Sequence, residues 1–245
     1  MQLPFDYSII RRPRRKTVTL RVSPDGSVSI LVPRHLRKTE VDRLVLSRAH
    51  WIEKKLNYFQ NERPAARVPE FADGGRIQFL GEPSTIRLQF QQRGRLKRPE
   101  WSDSVLLVPI PKKYQNGPSE EIKKIIEKQV SVWYRTTAEH LFAERIVVFG
   151  KQLGLHPRRT RIRSMKSRWG SCSSGGSIAL NLRLILAPQW IIDYVIVHEL
   201  CHLTHANHSS EFWSLVGSVY SDFRKARKWL RQNGHTLLLT GEDKI

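Results

Sequence analysis

Four histidines and a glutamate fall within one run, Val197-His198-Glu199-Leu200-Cys201-His202-Leu203-Thr204-His205-Ala206-Asn207-His208. The run contains His-Glu-x-x-His. On a helix, residues four apart share a face, so His198 and His202 can aim two imidazole nitrogens at one point. Zn²⁺ accepts such nitrogens in a tetrahedral shell. Glu199 is turned by about 100° from His198, so it can border the metal without ligating it. From there a carboxylate can take a proton from water.

A catalytic zinc takes three protein ligands and keeps one position open. His205, His208 and Glu211 are the candidates for the third. If the helix continued, His205 would stay on the same face but sit a full turn beyond His202. The spacing of His208 lets the chain leave the helix and turn back. Asn207 tolerates the left-handed conformation that would end the helix and swing His208 inward. His208 is therefore the expected third ligand, with His205 a supporting or surface residue. The oxyanion of a hydrolytic transition state needs a further donor. His205, Tyr220, Arg183 and His235 all qualify, and the sequence does not choose among them.

The motif needs an element to hold it. Pro188 suits a first helical turn. Trp190, Ile191, Tyr194, Val195 and Val197 form an apolar helical run into the motif. Before it, Ser167-Arg168-Trp169-Gly170-Ser171-Cys172 and the glycines Gly175 and Gly176 read as a hairpin turn. Ile178, Leu180, Leu182 and Leu184 follow with period two, as a strand running into the metal helix. A strand there could hold an extended peptide by backbone pairing, but the pattern alone favours an ordinary core hairpin. After the motif, Ser209 or Ser210 caps a last helix striped by Phe212, Leu215, Val216, Val219, Tyr220 and Phe223, with Trp229 and Leu230 extending it.

Further upstream, Val18, Leu20 and Val22, then Val28, Ile30 and Val32, alternate around the turn Pro24-Asp25-Gly26-Ser27, so residues 7–32 read as a β-meander. Thr39 to Phe59 reads as one helix capped by Thr39, with Asp42 three residues on. Strands are expected at Ile77–Leu80, Ile86–Phe90 and Val105–Val108, punctuated by Gly74, Gly75, Gly81 and Gly94. Lys112 to Pro118 reads as a linker, and a long helix follows from Ser119 to Gly150. The expected division is therefore 1–117, a β-rich region with one helix, and 118–245, the catalytic domain.

The chain has 245 residues, enough for one large or two modest domains with real cores. Lys and Arg number 42 against 22 acids, a net charge of +20 that favours polyanionic partners or acidic substrates. The densest basic run near the motif is Arg158, Arg159, Arg161, Arg163, Lys166 and Arg168. A second, Arg11 to Lys16, is either a phosphate-binding arm or a strand edge guarded by charge. Two cysteines, Cys172 and Cys201, give no disulfide framework. No apolar run approaches the ~18 residues of a membrane span, and no signal-peptide core is visible. A cytoplasmic protein without membrane contact is expected.

Several segments together resemble the YgjP-like family of predicted metal-dependent hydrolases. They are Ser167–Cys172, Asn181-Leu182-Arg183-Leu184, Ala187-Pro188, Ile192-Asp193-Tyr194-Val195, His198–His202 and Asn207-His208-Ser209. Leu20–Gly26, Trp51–Leu56 and Phe79-Leu80-Gly81 extend the likeness over nearly the whole chain. The resemblance implies an α+β fold: a zincin-like metallopeptidase domain related to the SprT group, with an N-terminal β-rich region. It implies Zn²⁺ held by His198, His202 and His208, and Glu199 as catalytic base. The third-ligand spacing also matches metzincins, but His205 replaces their Gly and no Met follows. The resulting expectation is a zinc-dependent peptidase acting on polypeptide, with nucleic acid as a second partner of the basic surface. The rivals are a hydrolase of nucleotides or other phosphate compounds, and a nucleic-acid-associated zinc module. A structural zinc usually has four protein ligands and no poised carboxylate, so Glu199 argues against a purely structural role.

Overall fold

A computed structural model describes residues 3–92 and 96–241, so the expected punctuation at Gly94 lies outside the described residues. The fold is α+β, in two compact units, Met1–Ala65 and Ala66–Ile245.

In the first unit, β2 (Thr19–Val22) and β3 (Val28–Pro33) form the expected hairpin. Its turn rests on Gly26 at φ +83° and on the Asp25 carboxylate, which accepts from the Ser27 amide. β1 (Ser8–Arg12) pairs parallel to β3 on its other side, giving the order β1-β3-β2. The segment is therefore not a simple meander. The single helix expected over 39–59 is two, α1 (Lys38–Leu46) and α2 (Ala49–Asn57). Arg48 leaves helical geometry at φ −115°, ψ 8° between them. The cap is Arg37, whose amide donates to Glu40, rather than Thr39. Val28, Ile30, Val32, Val41, Val45 and Ile52 form this unit's core.

The second unit begins with a mixed sheet of β4 (Arg76–Phe79), β5 (Glu82–Gln91), β6 (Glu100–Ser102) and β7 (Val105–Pro111), in the order β4-β5-β7-β6. β6 is a strand the sequence reading lacked. α3 (Ser119–Leu153) then buries Ile126, Val130, Tyr134, Ala138, Phe142 and Ile146. A stripe at every fourth residue drifts by about 40° per step around a helix of 3.6 residues per turn. The buried face therefore rotates along α3. Near its start Gln129 donates to Pro109 of β7 and Tyr134 to Gln78 of β4. Near its end Arg145 grips Asp193 of α4 (Gln189–Cys201) through two bonds, at 2.6 and 2.9 Å.

A second sheet, β8 (Arg159–Arg163), β9 (Gly170–Cys172) and β10 (Ser177–Asn181), has the order β8-β10-β9. The strand expected to run through Leu184 instead stops at Asn181. There the Asn181 side chain accepts from the Arg183 amide and starts a buried 3₁₀ segment, Leu182–Leu186. This segment also ties in the first sheet. The Leu80 and Gly81 amides donate to Ile185 and Leu186, and Pro188 packs so close to Gly81 that a Cβ there would lie 2.6 Å from its ring. The boundary expected at 117/118 thus falls inside the second unit: residues 66–117 share one core with α3 and α4. The last expected helix is also two, α5 (Ser210–Val219) and α6 (Phe223–Asn233), because Tyr220 turns out at φ −132°, ψ 81°. Among the described residues no helix is long and apolar enough to cross a membrane.

Candidate metal centre

α4 is buried on every side, from Ile191 to Cys201 apart from half-buried His198. Such a helix fixes its side chains by packing. It stops at Cys201, earlier than a continuous motif helix would. His202 is its last near-helical residue, and the Leu203, Thr204 and His205 amides close a tight turn back onto Leu200 and Cys201. Asn207 does not take the left-handed conformation expected of it: among the described non-glycine residues only Leu80, Asp103 and Ser104 have positive φ. The turn and the cap of α5 do that work instead. Ser209 Oγ accepts from the Phe212 amide and starts α5, which leaves His208 one residue before the cap.

His198, His202 and His208 converge, each offering a ring nitrogen within 4.8 Å of the others. His198 Nε2 and His208 Nε2 are 3.1 Å apart. In a tetrahedral zinc site with bonds of about 2.05 Å, two ligand nitrogens stand about 3.3 Å apart. His202 Nδ1 lies 2.9 Å from the His205 carbonyl. A carbonyl only accepts, so Nδ1 carries the proton and Nε2 keeps its lone pair for the centre. Tyr194 Oη stands 3.4 Å from His198 Nδ1. Aromatic rings from α5 hold the set: Phe212 stacks on His202 at 4.5 Å between centroids, and Trp213 on His208 at 5.5 Å. Burial, with His202, His208 and Arg227 nearby, pushes His198 down to about 3, and burial and the same kinds of neighbours also lower His208. A neutral imidazole is the form that ligates. Three ring nitrogens brought together in this way fit a divalent metal of zinc's preferences.

Glu199 is 4% exposed. Its Oε2 is buried with no partner. Burial pushes its carboxyl up to about 7, against the pull of Arg168. β9 runs beside it: a Cβ on Gly170 would lie 2.5 Å from Glu199 Oε1. Gly170 is needed here for space, not for an unusual φ.

The other candidates fall elsewhere. The His205 ring is outside the cluster, and its contribution is the carbonyl on His202. Glu211 is exposed at the start of α5, where the Ser209 hydroxyl lowers its carboxyl. Tyr220 donates its hydroxyl to the Trp190 carbonyl at 2.6 Å. Arg183 donates to the Leu237 and Gly234 carbonyls. Sequence reasoning missed Phe212 and Trp213 as ring supports and the cation Arg227, and had Arg168 only as one member of the basic run near the motif. Arg227 stacks on Trp213 at 4.4 Å. Tyr194 was legible, since it stands four residues before His198 on the same helix.

In the basic runs, Arg159, Arg161 and Arg163 are exposed on β8, at one edge of its sheet. β1 is likewise an edge strand, and Arg11 on it donates to the Arg34 and Leu36 carbonyls.

The sequence from 16 to 233 matches the model of the YgjP-like metallopeptidase domain. No curated protein matches the chain. Among solved structures, the crystal structure of the metallopeptidase zymogen of Pyrococcus abyssi abylysin matches with a TM-score of 0.34 and 24% identity, over 37% of this chain and 93% of that one. With the family's pattern running through strands of all three sheets, α3 and the histidine-bearing α4, the chain belongs to the YgjP-like family of metal-dependent peptidases.

Proposed function

We propose that the protein is a zinc-dependent peptidase in which His198, His202 and His208 hold the metal and Glu199 is the general base. The observation that carries this reading is the convergence of three ring nitrogens, with a buried carboxylate next in sequence to His198 whose Oε2 has no partner. A buried polar atom without a bond is costly unless something at the site uses it. A bound zinc ion would polarise the scissile carbonyl and lower the pKa of a water toward about 7. Glu199 takes the proton of the attacking water at its carboxylate and returns it to the leaving amine. Tyr194 and the His205 carbonyl keep His198 and His202 oriented. β9 is the edge strand beside Glu199, and its free edge suits an extended polypeptide.

The test is Glu199→Gln with a flexible, unfolded polypeptide as substrate. The variant is expected to keep about one zinc per chain and to lose about 10²-fold or more of the rate. Loss of zinc would make Glu199 a ligand. Glu199-dependent turnover of nucleoside triphosphates without peptide cleavage would replace this reading with a phosphate-compound hydrolase.

A nucleic-acid partner is a second proposal, supported by three guanidinium groups at alternate positions of an exposed edge strand. Side chains two apart on a strand point the same way. DNA or RNA binding should weaken steeply between low and moderate salt, and neutralising Arg159, Arg161 and Arg163 should flatten that slope. Absence of binding at low salt would leave them a solvated face.

A further inference from the structure

Around Trp169, the residue before Gly170, lies a recess of about 210 Å³, lined by Lys166, Arg168, Trp169, Asn181, Arg183 and His235 among others. None of the described residues lining it is acidic. Three separate segments build it, and each is pinned. Asn181, 1% exposed, donates its amide to the Met165 carbonyl at 2.7 Å and the Arg168 carbonyl at 2.9 Å, fixing the loop that carries Lys166 and Arg168. Arg183, 4% exposed, donates to the Leu237 and Gly234 carbonyls and lies over the Trp169 ring at 5.2 Å. Gly234 packs so tightly that a Cβ there would lie 2.7 Å from the same ring. Trp169 precedes Gly170, which abuts Glu199, and the Arg168 charge reaches the Glu199 carboxyl.

A rigid cationic cup beside the reacting groups selects anions. Its size selects which. Sites for drug-sized molecules run from about 300 to 1,000 Å³, so this one suits a single side chain or a chain terminus better than a whole nucleotide. An extended chain advances about 3.3 Å per residue, so a group in the recess belongs to a residue close to the scissile bond. We propose that the recess is a specificity subsite for a carboxylate, either an Asp or Glu side chain or the C-terminus of a polypeptide. Lys166 and Arg168 supply the charge and Trp169 packs against the side-chain stem. The inference rests on the peptidase reading above for its substrate class.

The experiment separates the two. Binding of fluorescein-labelled flexible peptides to zinc-loaded Glu199→Gln protein is followed by anisotropy. The peptides carry one Glu, one Gln, or a free or amidated C-terminus. Cleavage of the same peptides is followed with the active protein. The Glu peptide or the free C-terminus is expected to bind roughly tenfold better than its neutral counterpart, the size of a charge-assisted contact. The preference should appear in KM more than in kcat, and should fade with salt. Which acidic peptide wins distinguishes side chain from terminus. Lys166→Gln should remove most of the preference, and Lys166→Glu should turn it toward a Lys-containing peptide. Lys166 is exposed, so neither change threatens folding. Equal binding of acidic and neutral peptides, or a preference that survives Lys166→Glu, overturns the subsite. Inorganic triphosphate binding through Lys166 while the acidic peptides do not bind overturns it as well. Cleavage without acid preference sinks the subsite alone. Failure of all cleavage with Lys166-dependent binding of acidic peptides intact sinks the peptidase reading alone.

Discussion

Glu199 has two neighbourhoods, built on opposite principles. On one side are three imidazoles packed by Phe212, Trp213 and the buried body of α4. That side is aromatic, and burial lowers the His198 and His208 imidazoles. On the other contact, β9 and its preceding loop bring Arg168 and Lys166, cations that stay exposed. Neutral nitrogens suit a metal, which brings its own charge. Exposed cations suit an anionic substrate group, which must come and go. On the proposed reading one carboxylate serves a fixed ion and an exchanging ligand: the fixed partner is clamped by packing, and the exchanging one is met by charge.

The sharpest way to break this contrast is to remove the clamped side. His198→Ala, His202→Ala and His208→Ala are each expected to take zinc from about one per chain to near none, with activity lost. His205→Ala should keep zinc and most activity, because its backbone carbonyl, not its ring, orients His202. Metal analysis of the purified variants decides it, and retention of zinc by His208→Ala together with its loss from His205→Ala would reverse the assignment.

A smaller effect is expected at the seam between the neighbourhoods. Gly170→Ala places a Cβ 2.5 Å from Glu199 Oε1, so either the carboxylate or β9 must shift. A displacement of about 1 Å can cost on the order of 10²-fold in rate. Zinc content should be unchanged, because the added Cβ meets Glu199 before any ligand. Wild-type rates in this variant would mean that the carboxylate position is not critical.

The two neighbourhoods also differ in how far the sequence announces them. The histidine side is written within the stretch from 198 to 208, where helical spacing alone brings His198 and His202 together. What spacing did not reveal is the stop of α4 at Cys201, because that depends on a turn closed by backbone bonds rather than on Asn207. The recess is assembled from residues 166–169, 181–183 and 230–235, and no local pattern relates them. Arg183 read as an oxyanion candidate for want of knowing that Gly234 and Leu237 would take its donors. The division at 117 failed in the same way. The linker composition of 112–118 is real, but hydrogen bonds from Leu80 and Gly81 to Ile185 and Leu186 join what it separates. Elements set by periodicity, such as α3, the β2–β3 hairpin and α4, were legible. The breaks at Arg48, Asn181 and Tyr220 were not, since each preserves the hydrophobic pattern across it.

A third effect appears only when the metal is withdrawn, and it reads the electrostatic cost of Glu199 in stability rather than in rate. In chelator-treated protein the folded state holds the Glu199 carboxyl at about 7, against an ordinary 4.5, through burial. A raised carboxyl favours folding below its unfolded pKa, and that contribution is lost as pH rises through about 7. At pH 8 the wild type therefore carries a buried charge worth on the order of 3 kcal/mol, and Glu199→Gln does not. Metal-free Glu199→Gln should unfold at a higher temperature than metal-free wild type at pH 8, with the gain shrinking toward pH 5. The depressed His198 pKa works in the opposite direction, costing stability as pH falls from about 6.5 toward 3, but it is common to both proteins and cancels in the difference. Arg168→Gln should widen the gap, since Arg168 partly offsets the burial of the carboxylate. Adding zinc should shrink the gap or reverse it, because a nearby dication favours the ionised carboxylate. A gain equal at pH 5 and pH 8 would assign the effect to packing rather than charge, and Glu199 would then not be the strained group between the two neighbourhoods.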